Sequence, residues 1–279
     1  MPSESAIVDL DLIEEYAKDA LDLTIFFSKI NTHNENSRGI SDLIARILPL
    51  LEQLQFTIEV SDGRNIVARH SAKSPLGIVL LGHMDTAFKE TDTFKDVWID
   101  GSNLRGPGVS DMKGGIALLL CALRYLKQQG ALIGKNIAIL LNSDEEAGSY
   151  LSRDLIKKIS VDYGLALIFE GGKRIDDVTT TYLNIRQGSS RRPPMIPSAR
   201  AIYYSSLFES AAYDMNYNIM QKTRVGGSDG CFTSDAGVPT IDAIGPVGGE
   251  WHTDREYLEI SSLRDRLELF VRFWQKLYT

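Results

Sequence analysis

The chain lacks an apolar run long enough to cross a bilayer, a long cluster of Lys and Arg, and a cysteine-rich framework. Each absence excludes a class. A helical span needs about 20 consecutive apolar residues, so a membrane-embedded protein is not expected. With 30 basic residues against 37 acidic ones the formal charge is -7, and nucleic acid is an unsuitable partner for such a balance. Of the two cysteines, Cys121 lies in an apolar helical run and Cys231 in a Gly-rich stretch, which predicts free thiols rather than a disulfide scaffold. Residues 1–11 are acidic and hold neither a basic nor an apolar leader segment, which predicts a cytoplasmic protein. Histidine is scarce too: four in all, and none between His83 and His252.

What is present fits an ordinary globular chain with room for a substantial core, since 279 residues carry 43% hydrophobic and 24% charged side chains. Helical spacing of apolar residues predicts helices over 10–30, 41–54, 113–129, 150–159, 199–215 and 261–277. Strands are expected at 56–60, 65–69 and 178–185, with a short one within 217–225. The continuous apolar runs at 77–81, 137–141, 165–169 and 240–244 have the character of strands buried on both faces. Strand, crossover helix and strand in succession predict an α/β fold, a sheet with helices on both faces. Residues 187–197, with three prolines, form a connector.

Several apolar runs deliver the chain directly to polar groups. Residues 78–82 lead to His83, 140–141 to Glu145 and Glu146, and 167–169 to Glu170, while Asp111 and His252 follow Gly-rich stretches. Taken singly, His83 suits a satisfied strand-end histidine, Asp111 a turn or helix cap, Glu145-Glu146 solvated charge, Glu170 the start of a turn and His252 an interface residue. Together they supply imidazole and carboxylate donors for two cations, with one carboxylate bridging. Asp85, two residues after His83, suits a partner for the imidazole of that ligand. Glu145 then suits a general base facing a water shared by the metals, and Glu146 a ligand. The expected chemistry is attack on an amide carbonyl. Chemistry alone leaves open which His pairs with which Glu.

The ordered set His83-Met84-Asp85-Thr86, Gly106 to Gly115 with Asp111, Asp144-Glu145-Glu146-Ala147-Gly148, Phe169-Glu170 and His252-Thr253 resembles the carboxypeptidase G and glutamate carboxypeptidase type of co-catalytic zinc metallopeptidases. Acetylornithine deacetylase and succinyl-diaminopimelate desuccinylase are similar. Gly226-Gly227-Ser228-Asp229 and residues 232–249 extend the resemblance. It implies His83 and Glu170 on one zinc ion, Glu146 and His252 on the other, Asp111 as bridge, and Glu145 and Asp85 as catalytic residues. Co²⁺ or Mn²⁺ suits the same donors. The substrate implied is a small molecule or peptide with a free carboxylate, cleaved at an amide bond to a C-terminal or N-acylated amino acid.

The resemblance also marks a departure. Family members insert a lid domain of about a hundred residues after the strand near Glu170, a size that folds independently; here residues 173–198 form a short connector in its place, and 1–279 is expected to be a single catalytic domain lacking the lid. Gly188-Ser189-Ser190 has the composition of a flexible linker. The lid supplies a histidine that stabilises the tetrahedral intermediate, groups for the substrate carboxylate and the dimer surface. This chain has no such histidine, and losing one oxyanion donor costs on the order of 10² to 10³ in kcat. Reduced turnover and a monomer are expected. The alternative is a metal-binding pseudoenzyme or interaction module that kept the fold and lost turnover.

Overall fold

A computed structural model describes residues 8–176, 178–187 and 192–279. Two helices come first, α1 (Leu10–Ser28) and α2 (Ser37–Gln53). The second begins earlier than apolar periodicity implies because Asn36 caps it, its side chain accepting the Gly39 N–H at 3.0 Å. Then come the hairpin β1 (Thr57–Ser61) and β2 (Asn65–His70), the strand β3 (Gly77–His83) and the short pair β4 (Trp98–Asp100) and β5 (Asn103–Arg105). Next are α3 (Lys113–Gln128), β6 (Asn136–Asn142), α4 (Arg153–Ser160), β7 (Leu165–Ile168), β8 (Arg174–Ile175) and β9 (Val178–Gln187). The chain closes with α5 (Ala199–Tyr213), β10 (Ile219–Gly226), α6 (Gly230–Asp235), β11 (Thr240–Ile241), β12 (Gly248–Gly249), β13 (Tyr257–Glu259) and α7 (Ile260–Leu277).

The main sheet has six strands in the order β1-β2-β6-β3-β7-β11. Its centre is parallel, β3 lying between β6 and β7, with β11 parallel beyond β7; β2 joins β6 antiparallel. Side chains alternate between the two faces of a strand. Ile78, Leu80, Ile137, Ile139, Leu141, Leu165 and Leu167 therefore join the cluster built with α1, α3 and α7, while Val79, Leu81, Ala138, Leu140, Ala166 and Ile168 meet Ile156 and Ile159 of α4 and Phe232 of α6. Both faces are covered, which is why these strands appear in the sequence as unbroken apolar runs. The fold is α/β with helices on both faces, as the sequence predicts.

Two further sheets were not legible as sheets. In the first, β9, which meets the strand expected at 178–185, runs parallel to β10 and forms a hairpin with β8, so 12 of the 26 residues of the connector expected over 173–198 are strand. Tyr182 and Ile185 of β9 pack with Met195, Cys231 and Ala243. The Gly188-Ser189-Ser190 linker and Arg191 lie outside the described residues. The second sheet, in the order β12-β13-β5-β4, is built from strands of two or three residues, too short to leave a period. Of the run over 240–244 only Thr240–Ile241 joins the main sheet as a strand, Asp242 making an isolated bridge to Tyr182.

Candidate metal centre

Register explains how distant residues meet. Leu81 stands opposite Ile168 and His83 opposite Asn142, so two residues beyond Ile168 the chain brings Glu170 level with His83, and just beyond Asn142 it brings Glu145 and Glu146 to the same rim. This is the carboxyl end of a parallel sheet, where α/β proteins place their sites. Asp111 precedes α3, in a loop whose main-chain N–H groups at Gly108, Ser110 and Asp111 all donate to the Glu256 carboxylate, at 3.1, 2.9 and 3.1 Å. The peptide from Asp111 to Met112 is cis. Close approach of α3 to the sheet needs a residue without Cβ, because a Cβ at Gly115 would strike the carbonyl of Phe169. His252 sits in a turn with φ 61°, a left-handed conformation that few non-glycine residues adopt.

All five expected ligands come together. His83 Nε2 lies 3.2 Å from Asp111 Oδ1 and 3.4 Å from Glu170 Oε1. His252 Nε2 lies 3.1 Å from Asp111 Oδ2 and 3.1 Å from Glu146 Oε2. Two donor sets, His83-Asp111-Glu170 and Asp111-Glu146-His252, thus share Asp111, and within each set the donor atoms lie within 4.8 Å of one another. Space therefore answers what spacing left open: His83 stands with Glu170, and His252 with Glu146.

Asp85 is completely buried and does more than the sequence suggested. Its main-chain carbonyl lies 3.0 Å from His83 Nδ1 and its carboxylate 3.4 Å away, while the carboxylate oxygens accept the N–H groups of Glu145 and Glu146 at 3.2 and 3.0 Å. Glu145 is turned toward an arginine that the sequence did not single out. Its carboxylate lies 2.8 Å from Arg192.

So many carboxylates demand positive charge. Burial alone would lower the His83 pKa, yet Glu170, Asp111 and Asp85 outweigh it and hold it well above the usual imidazole value. Hydrogen bonds to Asp111 and Glu146 raise His252 to about 11. Burial would raise Asp111, but both imidazoles hold it far below the usual carboxylate range. Burial, then the charge of Asp111, raises Glu146, and burial raises Glu145 despite the opposing charges of Arg192 and His83. Burial and the neighbouring charge of Asp111 push Glu256 up to about 8, and burial brings Lys113 down to about 7. Imidazole and carboxylate donors converging in two sets of three, with one carboxylate common to both, fit a pair of adjacent divalent ions.

Other groups escaped sequence reading because nothing local marks them. Trp251 donates its indole N–H to Ser110 Oγ at 2.9 Å, and its ring lies under Arg224 at 5.1 Å and Lys173 at 4.8 Å. Burial works against the Arg224 charge, but Glu170, Asp242 and Asp111 more than compensate.

The family model described as peptidase family M20/M25/M40 matches residues 79–276. Carboxypeptidase G2 from Pseudomonas sp. strain RS-16 is 33% identical over 148 residues, covering 50% of this chain and 36% of that protein. A succinyl-diaminopimelate desuccinylase from Methylobacterium sp. strain 4-46 is 36% identical over 118 residues, covering 37% and 29%. The matches thus span about a third of these relatives' length. Among solved structures, the aminopeptidase PepT from Bacillus cereus superposes with TM-score 0.75 at 12% identity, covering 94% of this chain and 99% of that one. An M20 family metallo-carboxypeptidase from Sulfolobus solfataricus gives 0.73 at 13%, covering 93% and 99%, and a dinuclear metal-binding M20 peptidase from Bacillus subtilis gives 0.70 at 10%, covering 95% and 99%. These structural likenesses concern the fold. Because the family match runs through all five donors, from the strand that carries His83 to the helix beyond His252, the chain belongs to peptidase family M20/M25/M40.

Proposed function

We propose that the protein is a dinuclear metal-dependent hydrolase that cleaves the amide bond to a C-terminal or N-acylated amino acid. The observation that carries this reading is Asp111, placed between two His-Glu pairs at 3.1 and 3.2 Å from the imidazoles. His83, Glu170 and Asp111 would hold one ion, and Asp111, Glu146 and His252 the other. Zinc suits the donors, with Co²⁺ or Mn²⁺ as alternatives. When bound, such a pair supplies Lewis acidity to a water and to the scissile carbonyl. Glu145 takes the proton of that water and passes it to the leaving amine. Asp85 fixes the tautomer of His83 and the position of the loop carrying both glutamates.

The substrate is a small molecule or peptide with a free carboxylate. Arg224 supports this, because it brings a stacked cation beside Trp251, next to His252. Turnover is expected below that of lid-bearing relatives, since no histidine lies between positions 83 and 252 to act as the lid histidine does. The surface on which relatives pair lies on that lid, so the protein is read as a monomer.

A second reading, a metal-binding pseudoenzyme or interaction module, is favoured by the lack of any histidine between positions 83 and 252 to act as the lid histidine of relatives does. Metal analysis of the purified protein, followed by assay of N-acyl amino acids and peptides with and without a chelator, decides between the two. Two ions per chain with chelator-sensitive hydrolysis supports the hydrolase. Two ions without hydrolysis supports the module, and no metal overturns both.

A further inference from the structure

Arg192 is almost fully buried and makes three contacts with two partners. Its Nη2 donates to the main-chain carbonyl of Glu145 at 2.5 Å, and its Nη1 lies 2.8 Å from Glu145 Oε1 and 3.3 Å from Asp229 Oδ1. The guanidinium also stacks on Phe232, 5.6 Å from the ring centroid. Gly227 leaves room for it, since a Cβ there would come within 2.8 Å of Arg192 Cδ. Asp229 is held in turn by Ser149 Oγ at 2.5 Å and Asn142 Nδ2 at 2.7 Å. Asn142 ends β6 opposite His83.

We propose that Arg192, anchored by Asp229, is a positioning residue that fixes the carboxylate of Glu145 relative to the two His-Glu pairs. The inference rests on the hydrolase reading above. A planar guanidinium offers donors in a rigid fork, and here one fork grips both the backbone and the side chain of the same glutamate. The carboxylate then cannot rotate away without breaking its contact with a guanidinium that the Glu145 main chain holds in place. The path from Asn142 through Asp229 and Arg192 ties that orientation to the strand end carrying His83. Residues on each side of the segment where relatives carry their lid thus complete the setting of the base within this domain. A single counter-charge would neutralise Glu145 without aiming it.

The test uses the zinc-loaded full chain and the variants R192A, R192K and D229N, with N-acyl amino acids as substrates. R192A is expected to keep both ions and its KM while kcat falls about 10²-fold, the cost of a misplacement near 1 Å. Millimolar guanidinium should restore part of that loss. R192K, with a charge but no fork, should remain impaired, and D229N should lower kcat in the same direction. An unchanged kcat, or a loss confined to KM, overturns the inference. If the parent chain turns over no substrate, the hydrolase reading is what fails, and crystal structures then decide the positioning claim. A Glu145 carboxylate displaced in R192A, or in D229N if R192A does not fold, supports it; one that stays in place overturns it.

Discussion

Asp85 accepts the main-chain N–H of Glu146 at 3.0 Å, so the strand end that carries His83 also fixes the loop that carries a candidate ligand of the other ion. Replacing Asp85 with Ala frees that N–H and its neighbour at Glu145 and takes the carboxylate from the His83 ring, whose Nδ1 keeps only the main-chain carbonyl of residue 85. The expected result is a 10- to 100-fold loss of metal affinity. Competition against a chelator of known affinity measures it, and an unchanged affinity would show that the loop is held by other means.

Glu145→Gln keeps the size of the side chain and removes its ability to take a proton. Both ions should remain, while hydrolysis falls by about 10² to 10⁴. Metal content and turnover measured on the same sample separate a base from a merely structural carboxylate.

Metal stoichiometry should differ between two single variants. Asp111 is common to both donor sets, whereas His252 belongs to one. His252→Ala is therefore expected to lose one ion first, and Asp111→Ala both. Elemental analysis after dialysis checks this, and equal losses from the two variants would contradict a shared carboxylate.

Gly115→Ala tests the close approach of α3. The added methyl meets the Phe169 carbonyl and forces helix and strand apart at the base of the Asp111 loop. Overpacking of this kind costs typically 1–3 kcal/mol. Chemical denaturation measures the loss, and zinc affinity should weaken with it because Asp111 just precedes α3 and Glu170 just follows β7, the two elements pushed apart.

Removing metal should destabilise the fold. Ligand bound only to the native state adds about 2.7 kcal/mol at a concentration 100 times Kd. A clear rise in Tm on adding zinc to the chelator-treated protein is the expected result. The rise should vanish in Asp111→Ala.

Sheet strands and ligand types were legible in the sequence because both are local. A strand buried on both faces must be apolar throughout, and the polar residue that ends such a run, as His83 ends 78–82, stands out against it. Three features were illegible. The strands β12 and β13 are too short to carry a period, β8 lies where a connector was expected and the pairing of β9 had no local mark although the strand itself did, and Arg192, Asp229 and Glu256 carry no local mark of their partners. Glu256 is one carboxylate among many in the sequence, yet in space it gathers three N–H groups of the Asp111 loop.

The sequence by itself determined the α/β layering and the family, and picked out the five side chains that meet at the rim, since hydrophobic period and motif order are properties of the chain read in line. The tertiary structure alone decided which His stands with which Glu, and that Glu145 meets Arg192. Those are distances between side chains brought together by strand register and helix packing, and residues far apart along the chain acquire a distance only when the sheet that joins them has formed.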